Sequence, residues 1–143
     1  MPATTRVKLL CVTLTSDLKW EEHVSELIIK ASGRLQMLRL AKQNGVPEDH
    51  LLEIYYCYVR PSLEYAAPAW STSLIQRLSL NIEKIQKRAF RTILGKSYYS
   101  YSLSCQHFSA KTLKERRCSL VSDYALSLPK KTIIKGPTNP TQA

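Results

Sequence analysis

The sequence predicts a mainly α protein: one short N-terminal strand followed by about four helices in a bundle. Three observations predict it. Apolar residues recur at steps of three and four through two long stretches, Asp17 to Lys42 and Ser73 to Leu94. A strand-like run rich in Val, Leu and Thr, RVKLLCVTL, stands at the start of the chain, from Arg6 to Leu14. With 143 residues, 44% of them hydrophobic and 22% charged, the chain suits one ordinary folded domain.

Each element has its own justification. Arg6 to Leu14 reads as a single β-strand, after which Thr15, Ser16 and Asp17 offer capping oxygens. Between Asp17 and Lys42, Trp20, Val24, Leu27, Ile28, Ala31, Leu35 and Leu38 share one helical face. Asn44-Gly45 ends that helix, and Pro47, Glu48 and Asp49 open the next, with proline and acids at its start. Pro61 lacks an amide donor and disfavours helical geometry at Arg60, so a break or kink is expected there. A turn or two of helix through SLEYAA is then expected before Pro68. The third helix covers Ser73 to Leu94, about 30 Å long at 1.5 Å per residue, with Gly95 as its stop. Ser97 to Ser109, SYYSYSLSCQHFS, shows no helical period and reads as loop. A last helix runs from Thr112 to about Leu128, with Thr112 and Glu115 spaced as a capping box. Beyond Pro129 a disordered tail is expected.

Charge is distributed very unevenly. Met1 to Ile75 holds 8 Lys/Arg against 8 Asp/Glu, whereas Gln76 to Ala143 holds 13 against 3, which supplies the whole net charge of +10. On the third helix Arg77, Lys84, Lys87, Arg88 and Arg91 fall within an arc of roughly 100°. Leu74, Leu78, Ile82, Ile85, Ala89 and Ile93 lie opposite. A second cluster follows at Lys111, Lys114, Arg116 and Arg117. A one-signed stripe backed by an apolar stripe is the footprint of polyanion contact, although surface helices also carry cations for solubility alone. The apolar side lacks the bulky aromatics of an interfacial anchor, which weighs against a membrane surface. No run of eighteen apolar residues spans a bilayer, no signal-peptide pattern opens the chain, and an intracellular address is expected, nucleus or cytoplasm undetermined.

Chemistry-bearing patterns are sparse. Glu21, Glu22 and Glu26 share a helix and read as a solvated face, and His23, His50 and His107 stand apart from any nucleophile. Four glycines leave little material for a phosphate loop. Cys11, Cys57, Cys105 and Cys118 form no CxxC pair and read as reduced thiols. A zinc site from Cys105, His107 and Cys118 lacks the usual ligand spacing. Of the aromatics, Tyr55, Tyr58 and Trp70 read as packing, whereas Tyr98, Tyr99 and Tyr101 read equally as packing or as stacking platforms for unpaired bases.

Four motifs carry a resemblance to a known family. KLLCVTLTSDLKWEEHV (Lys8 to Val24), YVRPSLEYAAPAW (Tyr58 to Trp70), IEKIQKRAFRTILG (Ile82 to Gly95) and TLKERR (Thr112 to Arg117) stand in order and spacing. Together they resemble the segment that follows the reverse transcriptase core in jockey- and LINE-type non-LTR retrotransposon polyproteins. The resemblance covers Arg6 to Leu128, with departures: Cys11 replaces a customary glycine, and SLSCQHFSAK replaces a leucine-rich acidic helix. It implies a non-catalytic piece of an RNA-directed DNA polymerase. The palm aspartates that hold two metal ions have no counterpart, since Asp17, Asp49 and Asp123 are unpaired in the sequence. The opening strand and helix also resemble a region associated with the N-terminus of AlkB-type tRNA-modifying oxygenases and methyltransferases, but iron ligands and a methyl-donor loop are missing.

The resulting expectation is a mostly helical post-reverse-transcriptase segment over residues 1–128 and a tail over 129–143. Its nucleic-acid-binding residues are expected to be Arg77, Lys84, Lys87, Arg88, Arg91, Lys114, Arg116 and Arg117, on RNA or DNA backbone. Neither catalysis, cofactor, metal nor small-molecule substrate is expected. The alternative is a protein-interaction module that has lost its polymerase partner.

Overall fold

A computed structural model describes residues 5–129. The expected tail from Lys130 to Ala143 lies outside the described residues. The described chain is mainly helical, with a two-stranded antiparallel sheet at its N-terminal end.

The segment expected to be one strand is two. β1 (Arg6–Leu9) and β2 (Val12–Thr15) form a hairpin in which Arg6 faces Thr15 and Leu9 faces Val12. Leu10 and Cys11 make the two-residue turn with φ of 48° and 66°. Two left-handed residues define the turn whose twist matches the strands, and glycine or asparagine is its usual signal. Leucine and cysteine hide it. The oxygens of Thr15 and Asp17 likewise close a local turn instead of capping a helix: Leu18 N–H donates to Thr15 O, and Lys19 N–H to Asp17 Oδ1.

α1 (Glu21–Gln43) buries Val24, Leu27, Ala31, Leu35 and Leu38, the predicted stripe, and adds His23. α2 (Glu48–Ile54) follows. A break or kink was expected at Pro61; the helix is not broken there, but its geometry changes just before it. A wider π-helical turn over Tyr55–Val59 precedes it, and α3 (Arg60–Glu64) carries Pro61 in its first turn, where a missing amide interrupts no bond. The Ser62 hydroxyl donates to Val59 O at 2.6 Å, satisfying a carbonyl at the junction. The chain turns instead at Ala66, at φ 54°, where the Trp70 indole N–H donates to Tyr65 O. α4 (Ala67–Trp70) is a single turn that ends on the buried Trp70.

α5 (Gln76–Leu94) is the predicted third helix, starting slightly late and stopped by Gly95 at φ 55°. Lys42, at the end of α1, donates from Nζ to Ile93 O at 2.8 Å, supplying a cation and a donor at the helix's C-terminal end. α6 (Tyr101–His107) replaces the expected loop. Its apolar period was present at Tyr101, Cys105 and Phe108, but a serine, buried Ser104, fills the fourth place and breaks the visible pattern. The Ser100 hydroxyl caps it by accepting from Leu103 N–H. α7 (Leu113–Ser127) begins with the predicted capping box of Thr112 and Glu115.

The core is built where α1 lies along α5 and the α2–α4 segment closes over both. Val24, Leu27, Ala31, Leu35 and Leu38 meet Leu78, Ile82, Ile85, Ala89 and Ile93, with Tyr55, Trp70 and Phe90 filling the centre.

Candidate nucleic-acid interface

α5 places its cations by helical phase. The apolar side, Leu78, Ile82, Ile85, Ala89, Phe90 and Ile93, is buried, and the opposite side carries Arg77, Lys84, Lys87, Arg88 and Arg91 to the surface, all exposed. Two tyrosines flank the stripe. Lys87 Nζ sits 5.3 Å from the Tyr101 ring centre, and the Arg91 guanidinium 5.1 Å from that of Tyr98. Such cation–π contacts hold the long side chains in place without cancelling their charge. Lys84 reaches Asn81, and Arg77 pairs with Glu21 at the start of α1. Lys84, Lys87, Arg88 and Arg91 enter no ion pair among the described residues.

Glu83, the one acid of α5, explains why the stripe keeps its charge. It faces inward, 8% exposed, and caps the N-terminus of α7 by accepting from Leu113 N–H at 3.0 Å and Lys114 N–H at 3.2 Å. A carboxylate on free helix amides is favourably placed against the helix dipole. Glu83 also accepts from the Tyr101 hydroxyl. That hydroxyl accepts from Gln86 Nε2 at 2.8 Å, and Gln86 Oε1 accepts from the Tyr55 hydroxyl at 2.9 Å. Burial and the Glu83 hydrogen bond push the Tyr101 phenol well above its ordinary pKa, so it stays a donor.

The second basic cluster must be corrected. Arg116 and Arg117 were expected at the nucleic-acid face, but they belong to the body of the protein. Arg116 grips Glu64 through Nε and, at 3.0 Å, Nη2, joining α7 to α3. Arg117 is 2% exposed, donates to Ser79 Oγ at 2.6 Å, and has its Nη1 buried without a partner among the described residues. Burial lowers its pKa, and Glu83 opposes that shift. Only Lys114, exposed beside the amide that Glu83 holds, remains at the flank of the stripe with Lys111. Sequence reasoning also missed Glu83 and Lys42 as the anchors of the site. A lone acid inside a basic helix at the phase of the buried side was the available signal for the first.

The aromatic readings divide. Tyr55 and Trp70 are core, as expected, whereas Tyr58 is 43% exposed beneath Arg34. Tyr99 is 86% exposed, next to the stripe in sequence. Cys105 and Cys118 sit on different helices, His107 bonds Glu48, and no group of three or more ligating side chains gathers among the described residues. None of the described helices is long and apolar enough to cross a membrane.

No family model matches this chain, and neither a curated protein nor a solved structure matches it.

Proposed function

We propose that this chain is a non-catalytic segment derived from the region after the polymerase core of a non-LTR retrotransposon polyprotein, working inside the cell. It contacts nucleic-acid backbone through the exposed face of α5. The observation that carries the reading is the one-signed stripe of Lys84, Lys87, Arg88 and Arg91, whose neighbouring acid is turned inward onto α7. Lys114 extends the surface, and Arg77 joins it when it leaves Glu21. Side chains of this kind meet phosphates without reading bases, so RNA and DNA are both bound and affinity falls with salt.

Titration against single-stranded RNA and duplex DNA at rising salt tests it. Four phosphate contacts give a log–log salt slope of about −3 to −4. Replacing Lys84, Lys87, Arg88 and Arg91 by Ala should flatten that slope. Absence of binding, or binding indifferent to salt, ends the reading. A second reading, an interaction module without its former polymerase partner, is favoured by one separate observation: an apolar hairpin face turned to solvent. The AlkB-type alternative gains nothing from the site.

A further inference from the structure

Beside the N-terminal end of the stripe, α5 and α7 enclose a cavity of about 390 Å³, lined also by Ser71 and Leu74 ahead of α5. Its polar lining is made of donors. Gln76 and Lys114 stand exposed at the rim, the hydroxyls of Ser71 and Ser79 lie part-way in, and Arg117, 2% exposed, forms the floor. No carboxylate is among the residues that line it. Lys114 Nζ, the Gln76 side-chain amide and the hydroxyl protons of Ser71 and Ser79 meet no acceptor among the described residues.

Arg117 is the informative residue. A buried guanidinium with an unfilled donor costs stability until something completes it, and Arg117 Nη1 is such a donor. No acid lies within ion-pair distance of it among the described residues. Glu83 is taken up by the start of α7 and the Tyr101 hydroxyl, and Glu64 by Arg116, so both temper the charge of Arg117 without bonding to it. One bond, from Nη2 to Ser79 Oγ, fixes its distal end. A small swing therefore brings Nη1 to the cavity, and an anion there replaces one neutral hydrogen bond with charge-assisted ones.

The start of α5 adds to the same field. Ile75 supplies no capping side chain, the first turn holds no acid, and the N–H groups of Gln76, Arg77 and Leu78 meet no acceptor among the described residues. A bare helix start of this kind is positive, and Gln76 and Ser79 of that turn line the cavity. A carboxylate has too few oxygens for these donors, whereas a tetrahedral phosphate can meet Arg117, Lys114 and both hydroxyls together. Leu80 on the rim lies four residues before Lys84, so the cavity opens onto the stripe. The stripe is a convex helix face suited to a passing backbone. A recess instead suits a chain end, which enters it without bending the strand on both sides.

We propose that this cavity seats the terminal phosphate of a nucleic-acid strand whose backbone lies along α5. Arg117 and Lys114 supply the charge, and Ser71, Ser79 and Gln76 supply neutral donors. The inference rests on the nucleic-acid reading above and deepens it by naming which part of the strand is held.

The test titrates the full chain with one short single-stranded RNA in three forms: 5′-phosphate, 3′-phosphate, and hydroxyl at both ends. Amide shifts are followed by NMR. One phosphorylated form should bind about tenfold tighter than the hydroxyl form and move the amides of Gln76, Ser79 and Lys114. Gln76→Glu sets a carboxylate at the mouth, where a helix start tolerates it, and should bring the ratio of the two affinities to about one. Replacing Lys84, Lys87, Arg88 and Arg91 by Ala should weaken all three forms while leaving the ratio in place. Equal binding of the three forms overturns the proposal and leaves the backbone reading of α5 standing. A phosphate preference that survives Gln76→Glu, or whose shifts fall on Lys84 to Arg91, overturns the cavity as its seat. Inorganic phosphate that moves the cavity amides while no RNA binds overturns the nucleic-acid source, and the reading of α5 with it.

Discussion

Two basic clusters of similar density meet opposite fates in this molecule. On α5, Lys84, Lys87, Arg88 and Arg91 stand in solvent, whereas on α7 Arg116 ties down Glu64 and Arg117 is sealed beside Ser79 and Glu83. The difference lies in which side of each helix is wanted by the core. α5 has a largely apolar side to bury, with Glu83 and Gln86 set into it as hydrogen-bonding groups, so its cations take the remaining face. α7 buries only Leu113 and Arg117, the two residues four apart at its start that face the body. Counting positive residues does not distinguish a binding surface from a structural clamp; the acid that each cation meets does.

Glu83→Ala strikes hardest at this contrast. It strips the cap from α7 and removes the nearby charge that opposes the burial of Arg117, a loss of about 2–3 kcal/mol. Urea denaturation measures it, and a loss under about 1 kcal/mol contradicts the clamp. Arg116→Ala should cost about 1–2 kcal/mol through its partly buried pair with Glu64, while leaving the salt slope of nucleic-acid binding unchanged. A flattened slope would return Arg116 to the interface.

The hairpin anchor gives a pH signature. Burial holds the His23 pKa below its ordinary value, so the unfolded chain takes the proton more readily. The stability that neutral His23 contributes is complete above about pH 6.5 and declines as pH falls towards its lower folded value. Glu26, lowered chiefly by the Thr13 hydroxyl, adds a second decline at more acidic pH. The protection of the Thr13 amide, relative to its intrinsic exchange rate at each pH, should therefore fall below about pH 6.5, and His23→Gln should remove that first step. Lys42→Met, which removes the cation from the end of α5, should cost under about 1 kcal/mol. Smallest of all, converting Lys84, Lys87, Arg88 and Arg91 to Ala should shift stability by no more than about 0.5 kcal/mol for each site, in contrast to Arg116. A larger fall would show that the stripe also holds the fold.

Much of this was legible in the chain. The α1 and α5 stripes, the stop at Gly95 and the box at Thr112–Glu115 are local, and each follows from spacing between near neighbours. Three features were not. The Leu10–Cys11 turn uses residues that disfavour positive φ, and only the pairing of β1 with β2 compels it. Pro61 stays helical because a wider turn precedes it, a choice fixed by packing against α1. α6 folds because Tyr101, Cys105 and Phe108 find Phe90 and the core, which no seven-residue segment achieves alone.

The sequence by itself determined the helical class and the phase of α5, because periodicity dictates which side of a helix can be buried. Tertiary structure alone decided that Arg116 and Arg117 are clamps, that Glu83 serves α7, and that the hairpin shows its apolar face. Those outcomes depend on partners 30 or more residues away, or on which of two faces α1 happens to meet. A charge has no fixed role until its counter-ion and its burial are set.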